Sequence, residues 1–194
     1  MIRNRIAKHQ NCPPTLLQQL AADDHGTVRT GVAENPNCPP ALLQQLAHAD
    51  YSWIRREVAK NPNCPPALLQ QLASDENENV RAEVAQNPNC PPALLQQLAH
   101  DDKSVRTRVA ENPNCPLELL QQFAHDDKFV RAGVAWNPNC PPALLQQLAY
   151  GDSGIRRGMI RAGVASNPNC PPELLQQLAH DDYSQIRRGV ARNS

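Results

Sequence analysis

The sequence predicts an all-α fold, a solenoid of stacked helix pairs, and three observations lead there. One phrase, Asn-Cys-Pro-Pro-Ala-Leu-Leu-Gln-Gln-Leu-Ala, returns seven times with small changes, its cysteines at 12, 38, 64, 90, 115, 140 and 170. The spacings are 26, 26, 26, 25, 25 and 30 residues, and a fixed period in this range signals repeat architecture. The apolar residues of each copy follow a helical rhythm. Finally, the 19 prolines stand at fixed intervals instead of in a tract, so they punctuate elements.

The first element of each unit is a leucine helix. Leu68, Leu69, Leu72 and Ala73 occupy i, i+1, i+4 and i+5 of one helical face, while Gln70 and Gln71 point away. The strand pattern Leu-x-x-Leu-x-Leu is missing. Pro65 and Pro66 suit the first turn, where the absent amide donors have no intrahelical partner, with Asn63 or Cys64 as the cap. The spacing predicts a helix over roughly Pro65 to Ser74.

The second element is shorter. Val105, Val109 and Ala110 stand at i, i+4 and i+5; Asp101 or Asp102 is placed to cap the start, Asn112 to take a left-handed closing position, and Pro113 to stop the helix. About two turns of isolated helix are marginal, so this element is expected to be partly 3₁₀ and to depend on packing. Neither helix buries its stripe alone, and stacking neighbours supplies one continuous core. The chain reads as a single repeat domain over 1–194, with a half-unit at 1–10 and repeats at 11–36, 37–62, 63–88, 89–113, 114–138, 139–168 and 169–194.

The pattern Val-Arg-x-x-Val-Ala-x-Asn-Pro-x-Cys-Pro, intact from Val80 to Pro91 and slightly changed in every other copy, resembles the leucine-rich repeat variant family. The resemblance covers essentially the whole chain. It implies a right-handed superhelix of alternating α- and 3₁₀-type helices without strands, similar to solenoids of the HEAT type. The family also includes an N-terminal cysteine cluster that holds an iron–sulfur centre, and residues 1–11 contain no Cys. A partner domain of an iron–sulfur redox protein is therefore a further alternative reading.

Composition narrows the function. Lys and Arg balance Asp and Glu at 19 each, so no global field draws the chain to nucleic acid or to an anionic membrane. No long apolar run and no signal peptide are present, which predicts a cytoplasmic protein without a membrane partner. Rungs ~8–10 Å apart keep one Cys per unit from converging on a metal, and Cα atoms more than about 7 Å apart cannot form a disulfide. The cysteines read as small buried apolar residues, and His48, His100, His125 and His180 as exposed residues at the negative helix end. No cofactor, metal site or catalytic constellation emerges, so the chain reads as non-enzymatic.

An arginine column runs through all eight second halves: Arg3, Arg29, Arg55, Arg81, Arg106, Arg131, Arg161 and Arg187. Paired with the Asp four or five residues earlier (Asp24, Asp50, Asp75, Asp102, Asp182), within a unit or across to the next, it forms a structural ladder. Left open, it could track a nucleic-acid backbone, the rival reading. Uniform columns build the rungs, whereas variable ones are free for partners. Variation concentrates before and within the second helix, including the column Arg5, Gly31, Glu57, Glu83, Arg108, Gly133, Gly163 and Gly189. The candidate partner-binding residues on this face are Tyr51, Trp53, Lys60, Arg108, Phe129, Trp136, Arg156, Arg157 and Tyr183. Arg156 and Arg157 belong to the longer sixth unit, whose four extra residues could extend its second helix by about one turn. The expected function is a repeat scaffold for a protein or peptide partner, with self-association through uncapped ends as a further possibility.

Overall fold

The computed structural model describes residues 2–151 and 157–193, without the side chain of Arg157. The described residues form fifteen α-helices and no strand. Leucine helices are α2 (Pro14–Ala21), α4 (Pro40–Leu46), α6 (Pro66–Leu72), α8 (Pro92–Leu98), α10 (Leu117–Phe123), α12 (Pro142–Tyr150) and α14 (Pro172–Leu178). Second helices are α1 (Ile2–Lys8), α3 (Gly26–Ala33), α5 (Ser52–Lys60), α7 (Glu78–Gln86), α9 (Lys103–Glu111), α11 (Lys128–Trp136), α13 (Arg157–Ser166) and α15 (Ser184–Asn193). Packing divides the chain into two compact units, Met1–Leu98 and Ala99–Ser194. The extra residues 152–156, including Arg156, lie outside the described residues.

Within each unit the rungs repeat one arrangement. Leu68, Leu69 and Leu72 are buried with Ile54, Val58, Val80 and Val84 of the flanking second helices, and Gln70 and Gln71 face solvent. Burying each such side chain contributes about 1.5–3 kcal/mol. Phe123 replaces a leucine in this core. Second helices stack on second helices, α1 on α3 and α5 on α7 in the first unit, and α9 on α11, α11 on α13 and α13 on α15 in the second.

Three local expectations are corrected. The second helices are α-helical over seven to ten residues and no shorter than most leucine helices. Packing against neighbouring helices of the same unit supplies the stability that an isolated two-turn helix lacks. Bonds of 3₁₀ type are confined to end turns, for example Val28 N to His25 O at 2.9 Å. The leucine helix begins at Pro66 and ends at Leu72, and its cap position is Pro65, extended at φ −73 and ψ 151, rather than Asn63 or Cys64. Each residue before a proline is pushed out of the helical region, so the Cys-Pro-Pro run delays helix entry to the second proline. The same rule corrects the helix end: Asn112 precedes Pro113 and is extended, φ −70 and ψ 129, not left-handed. Asp102 does stand at the cap position of α9.

Freed from capping, the Asn-Pro-Asn asparagines stitch rungs together. Asn61 is buried and its Nδ2 donates to Ala33 O at 2.6 Å and Asn35 O at 2.9 Å, in the preceding rung. Its Oδ1 accepts from Asn63 N at 2.8 Å, and Asn63 Nδ2 donates to Pro36 O at 2.6 Å. Asn137 and Asn167 repeat the device in the second unit. These bonds satisfy the buried helix-end carbonyls such as Ala33 O and add a second donor to Asn35 O, which already accepts from Cys38 N at 3.0 Å. The glutamines add an exposed file, with Gln44 Nε2 donating to Gln71 Oε1 at 3.0 Å.

Candidate functional site

The arginine column is a ladder whose carboxylates come from the following rung, 20 residues further on. Arg55 holds Asp75 through Nε at 2.6 Å and Nη2 at 2.9 Å, and Arg106 holds Asp126 through the same two nitrogens at 2.9 Å each. Arg3 pairs with Asp23 at 2.7 Å and Arg161 with Asp181 at 2.5 Å. These partners occupy the first of the two acidic positions, whereas Asp24, Asp50 and Asp182 hold the second. The loop within the arginine's own rung contributes main-chain acceptors: Arg55 Nη1 donates to Ala49 O and Asp50 O, Arg81 Nη1 to Asp75 O, and Arg131 Nη1 to Asp126 O. Arg187 does likewise toward Asp181 O and Asp182 O. Hydrogen bonding to Arg106 holds the Asp126 carboxyl below its ordinary range; at Asp75 burial pushes upward, but the Arg55 bonds outweigh it. A guanidinium spent on a carboxylate and two carbonyls is architecture.

All seven cysteines are buried free thiols, one per repeat. The sulfurs of Cys38, Cys115 and Cys140 point at the carbonyl of the next proline. Burial pushes Cys64, Cys90, Cys115 and Cys140 up to about 12, which keeps them protonated. No three His, Cys, Asp or Glu side chains among the described residues gather to hold a metal ion. The residues present therefore do not fit the iron–sulfur centre known from the family. His48, His100, His125 and His180 are exposed.

The variable column does not lie open along its length. Where it holds glycine, neighbouring second helices press together: a Cβ added at Gly133 would meet Thr107 O at 2.9 Å and Ala110 Cβ at 3.0 Å. One added at Gly163 would meet Ala135 Cβ at 2.9 Å. Glu57, in the same column, is buried and held by Arg56 at 2.8 Å. Only Arg108 of the sequence candidates comes from this column; it is exposed and bridges to Glu111 at 2.8 Å.

The aromatic candidates are exposed and fall into two groups. In the first unit Tyr51 and Trp53 stack face to face, centroids 4.2 Å apart, with Lys60 exposed at the far end of the same helix. In the second unit Phe129 and Trp136, seven residues apart, share one face of α11. They join Met159 and Ala162 of α13, and Tyr183, Gln185 and Arg188 at α15, around a groove of about 780 Å³. Phe129, Trp136 and Tyr183 remain 38%, 49% and 49% exposed, so large apolar faces meet water here. Arg188 is the one charged residue of the described lining, and the ammonium groups of Lys103 and Lys128 lie 5.1 Å from the Phe129 ring centre. Sequence reasoning found the aromatics but missed Met159, Ala162, Gln185 and Arg188. Their signal was only their register, one helical face on successive rungs.

The chain was compared with known families and structures. A family described as the Leucine Rich Repeat Variant domain matches residues 79–121 and 106–160, and one described as the leucine rich repeat variant matches 26–50 and 160–182. Among solved structures, the chain is similar to "a leucine-rich repeat variant with a novel repetitive protein structural motif", with 27% identity and a TM-score of 0.57 over 94% of this chain and 72% of that one. No curated protein matches.

Proposed function

Because the chain belongs to the leucine-rich repeat variant family, we propose that it serves as a non-enzymatic repeat scaffold that captures a protein or peptide partner on its second-helix face. The groove among α11, α13 and α15 carries the reading. Aromatic side chains left half-exposed around a concavity are the kind of anchor site that dominates interface energetics. The described lining is mostly apolar and its one charge is positive, so the fitting segment presents a bulky apolar side chain next to a carboxylate. Tyr51, Trp53 and Lys60 form a separate candidate contact point on the first unit.

The nucleic-acid reading needs an open arginine column, and Arg55, Arg106 and Arg161 instead hold carboxylates of the next rung. Trp136 offers a direct test. With Trp53→Phe in place it is the sole tryptophan, and its fluorescence reports on the groove. Acidic peptides with an aromatic or leucine residue should give a saturable blue shift that Phe129→Ala weakens at least tenfold, equivalent to about 1.4 kcal/mol. A response to single-stranded oligonucleotides that collapses with salt, and none to peptides, would replace this reading by its rival.

A further inference from the structure

We propose that Arg29 is a binding site for a small monocarboxylate, because the ladder is built there but its carboxylate is missing. The rule of the ladder is an Asp 20 residues after the arginine, as in Arg55 with Asp75 and Arg106 with Asp126. Twenty residues after Arg29 stands Ala49. The half of the device that aims the guanidinium is nonetheless intact. Arg29 Nη1 donates to Asp23 O at 2.6 Å and Asp24 O at 3.2 Å. Arg55 Nη1 is anchored in the same way, on Ala49 O at 2.9 Å and Asp50 O at 3.1 Å. Anchoring Nη1 fixes the plane of the group, which leaves Nε and Nη2 as a fork toward the next rung. On Arg55 and Arg106 that fork grips both oxygens of one carboxylate. On Arg29 the fork meets no acceptor among the described residues.

A cavity of about 170 Å³ occupies the place of the missing side chain, lined by Arg29, Gln45, His48, Ala49 and Asp50. A water takes about 30 Å³, so the space suits an acid of a few heavy atoms and not a polypeptide segment. Chemistry selects within that size. The planar fork matches the two oxygens of a carboxylate, and the Gln45 amide adds a neutral donor at the rim. Asp50, exposed at the same rim, opposes added negative charge, so one charge is tolerated better than two. The site is thus the fold's own carboxylate position, held by Ala49 in this rung and open to a carboxylate from solution. It is independent of the groove in the second unit.

The test follows the arginine side-chain Nε–H resonances while sodium acetate is titrated at constant ionic strength, with inorganic phosphate as a parallel arm. The Arg29 resonance should shift saturably with acetate, while those of Arg55 and Arg106, already occupied, stay still. In Ala49→Asp the ladder is complete, and the Arg29 resonance should sit with those of Arg55 and Arg106 and no longer respond. The proposal is overturned by an unsaturable Arg29 shift, by equal shifts at all three arginines, or by an undiminished response in the variant. A response to phosphate without one to acetate overturns the assignment to carboxylates. Should Ala49→Asp fail to fold, Arg29→Gln serves instead: acetate in place of chloride should raise the melting temperature of the parent and not of this variant. Equal rises in both would sink the site.

Discussion

Asn137 uses its whole side-chain amide between rungs, Nδ2 on Ala110 O at 2.7 Å and Asn112 O at 2.8 Å, Oδ1 on the amide of Asn139 at 2.8 Å. Truncation to Ala takes the side-chain donor from Ala110 O and the acceptor from Asn139 N, while Asn112 O keeps the amide of Cys115 at 2.9 Å. We expect Asn137→Ala to cost about 2–3 kcal/mol, since each unsatisfied buried group carries its full desolvation penalty. Chemical denaturation measures it, and a loss under about 0.5 kcal/mol, the range of an ordinary surface change, would show that the ladder is not structural. Arg55 makes the companion case. Its side chain is 11% exposed and its partner Asp75 6%, so Arg55→Ala strands a buried carboxylate. The expected cost is about 3 kcal/mol, and Asp75→Asn should recover part of it by removing the stranded charge. If the double variant is no more stable than Arg55→Ala alone, the loss arises from the carbonyl contacts of Nη1 instead.

At the scale of elements, the second helices are held at a distance set by small residues. Gly133 lies against the main-chain carbonyl of Thr107, which cannot swing aside as a side chain would. Gly133→Ala raises the intrinsic helix propensity of α11 by about 1 kcal/mol, yet packing should override that gain and destabilise the second unit by about 1–3 kcal/mol. A stabilised variant in a thermal melt would mean that the seam is looser than the 2.9 Å approach indicates. This balance also explains what could be read beforehand. The leucine helices were legible because their signals, Pro65-Pro66 and the face of Leu68, Leu69 and Leu72, are local in sequence. The α-helical character of α9, the stitching role of asparagines such as Asn61 and the direction of the arginine ladder were not. Each depends on a rung 20 to 28 residues away, which no local pattern reports. The groove was half legible: Phe129, Trp136 and Tyr183 break their columns, while Met159 and Arg188 become visible only when three helices are set side by side.

Across the whole molecule the repeated groups titrate in sets, and their signs bound the pH range of stability. The ladder carboxylates Asp23, Asp75 and Asp126 have lowered folded values, so their contribution is present above the ordinary value near 4 and fades as pH falls through those lower values. The thiols act at the other end. Burial raises all seven, with Cys38 and Cys170 at about 11 and four others at about 12, against about 8.5 in an unfolded chain. Below about 8.5 both states keep these protons and stability is unaffected. Above it the unfolded chain releases them while the folded chain holds them, so the unfolded state binds fewer protons and stability falls as pH rises, up to the folded values. Each thiol contributes a slope of about 1.4 kcal/mol per pH unit once ionised in the unfolded chain. One cysteine per rung makes that slope additive along the repeats, and the alkaline limb should be steeper than the acid one. Denaturation in the presence of a phosphine reductant from pH 7 to about 10.5 covers the lower part of this window, where the slope develops. In Cys64→Ala/Cys90→Ala the alkaline slope should flatten by about 2.7 kcal/mol per pH unit, the share of two thiols. If the parent and this variant lose stability at the same rate, other groups drive the alkaline transition, and the repeated cysteine has no part in it.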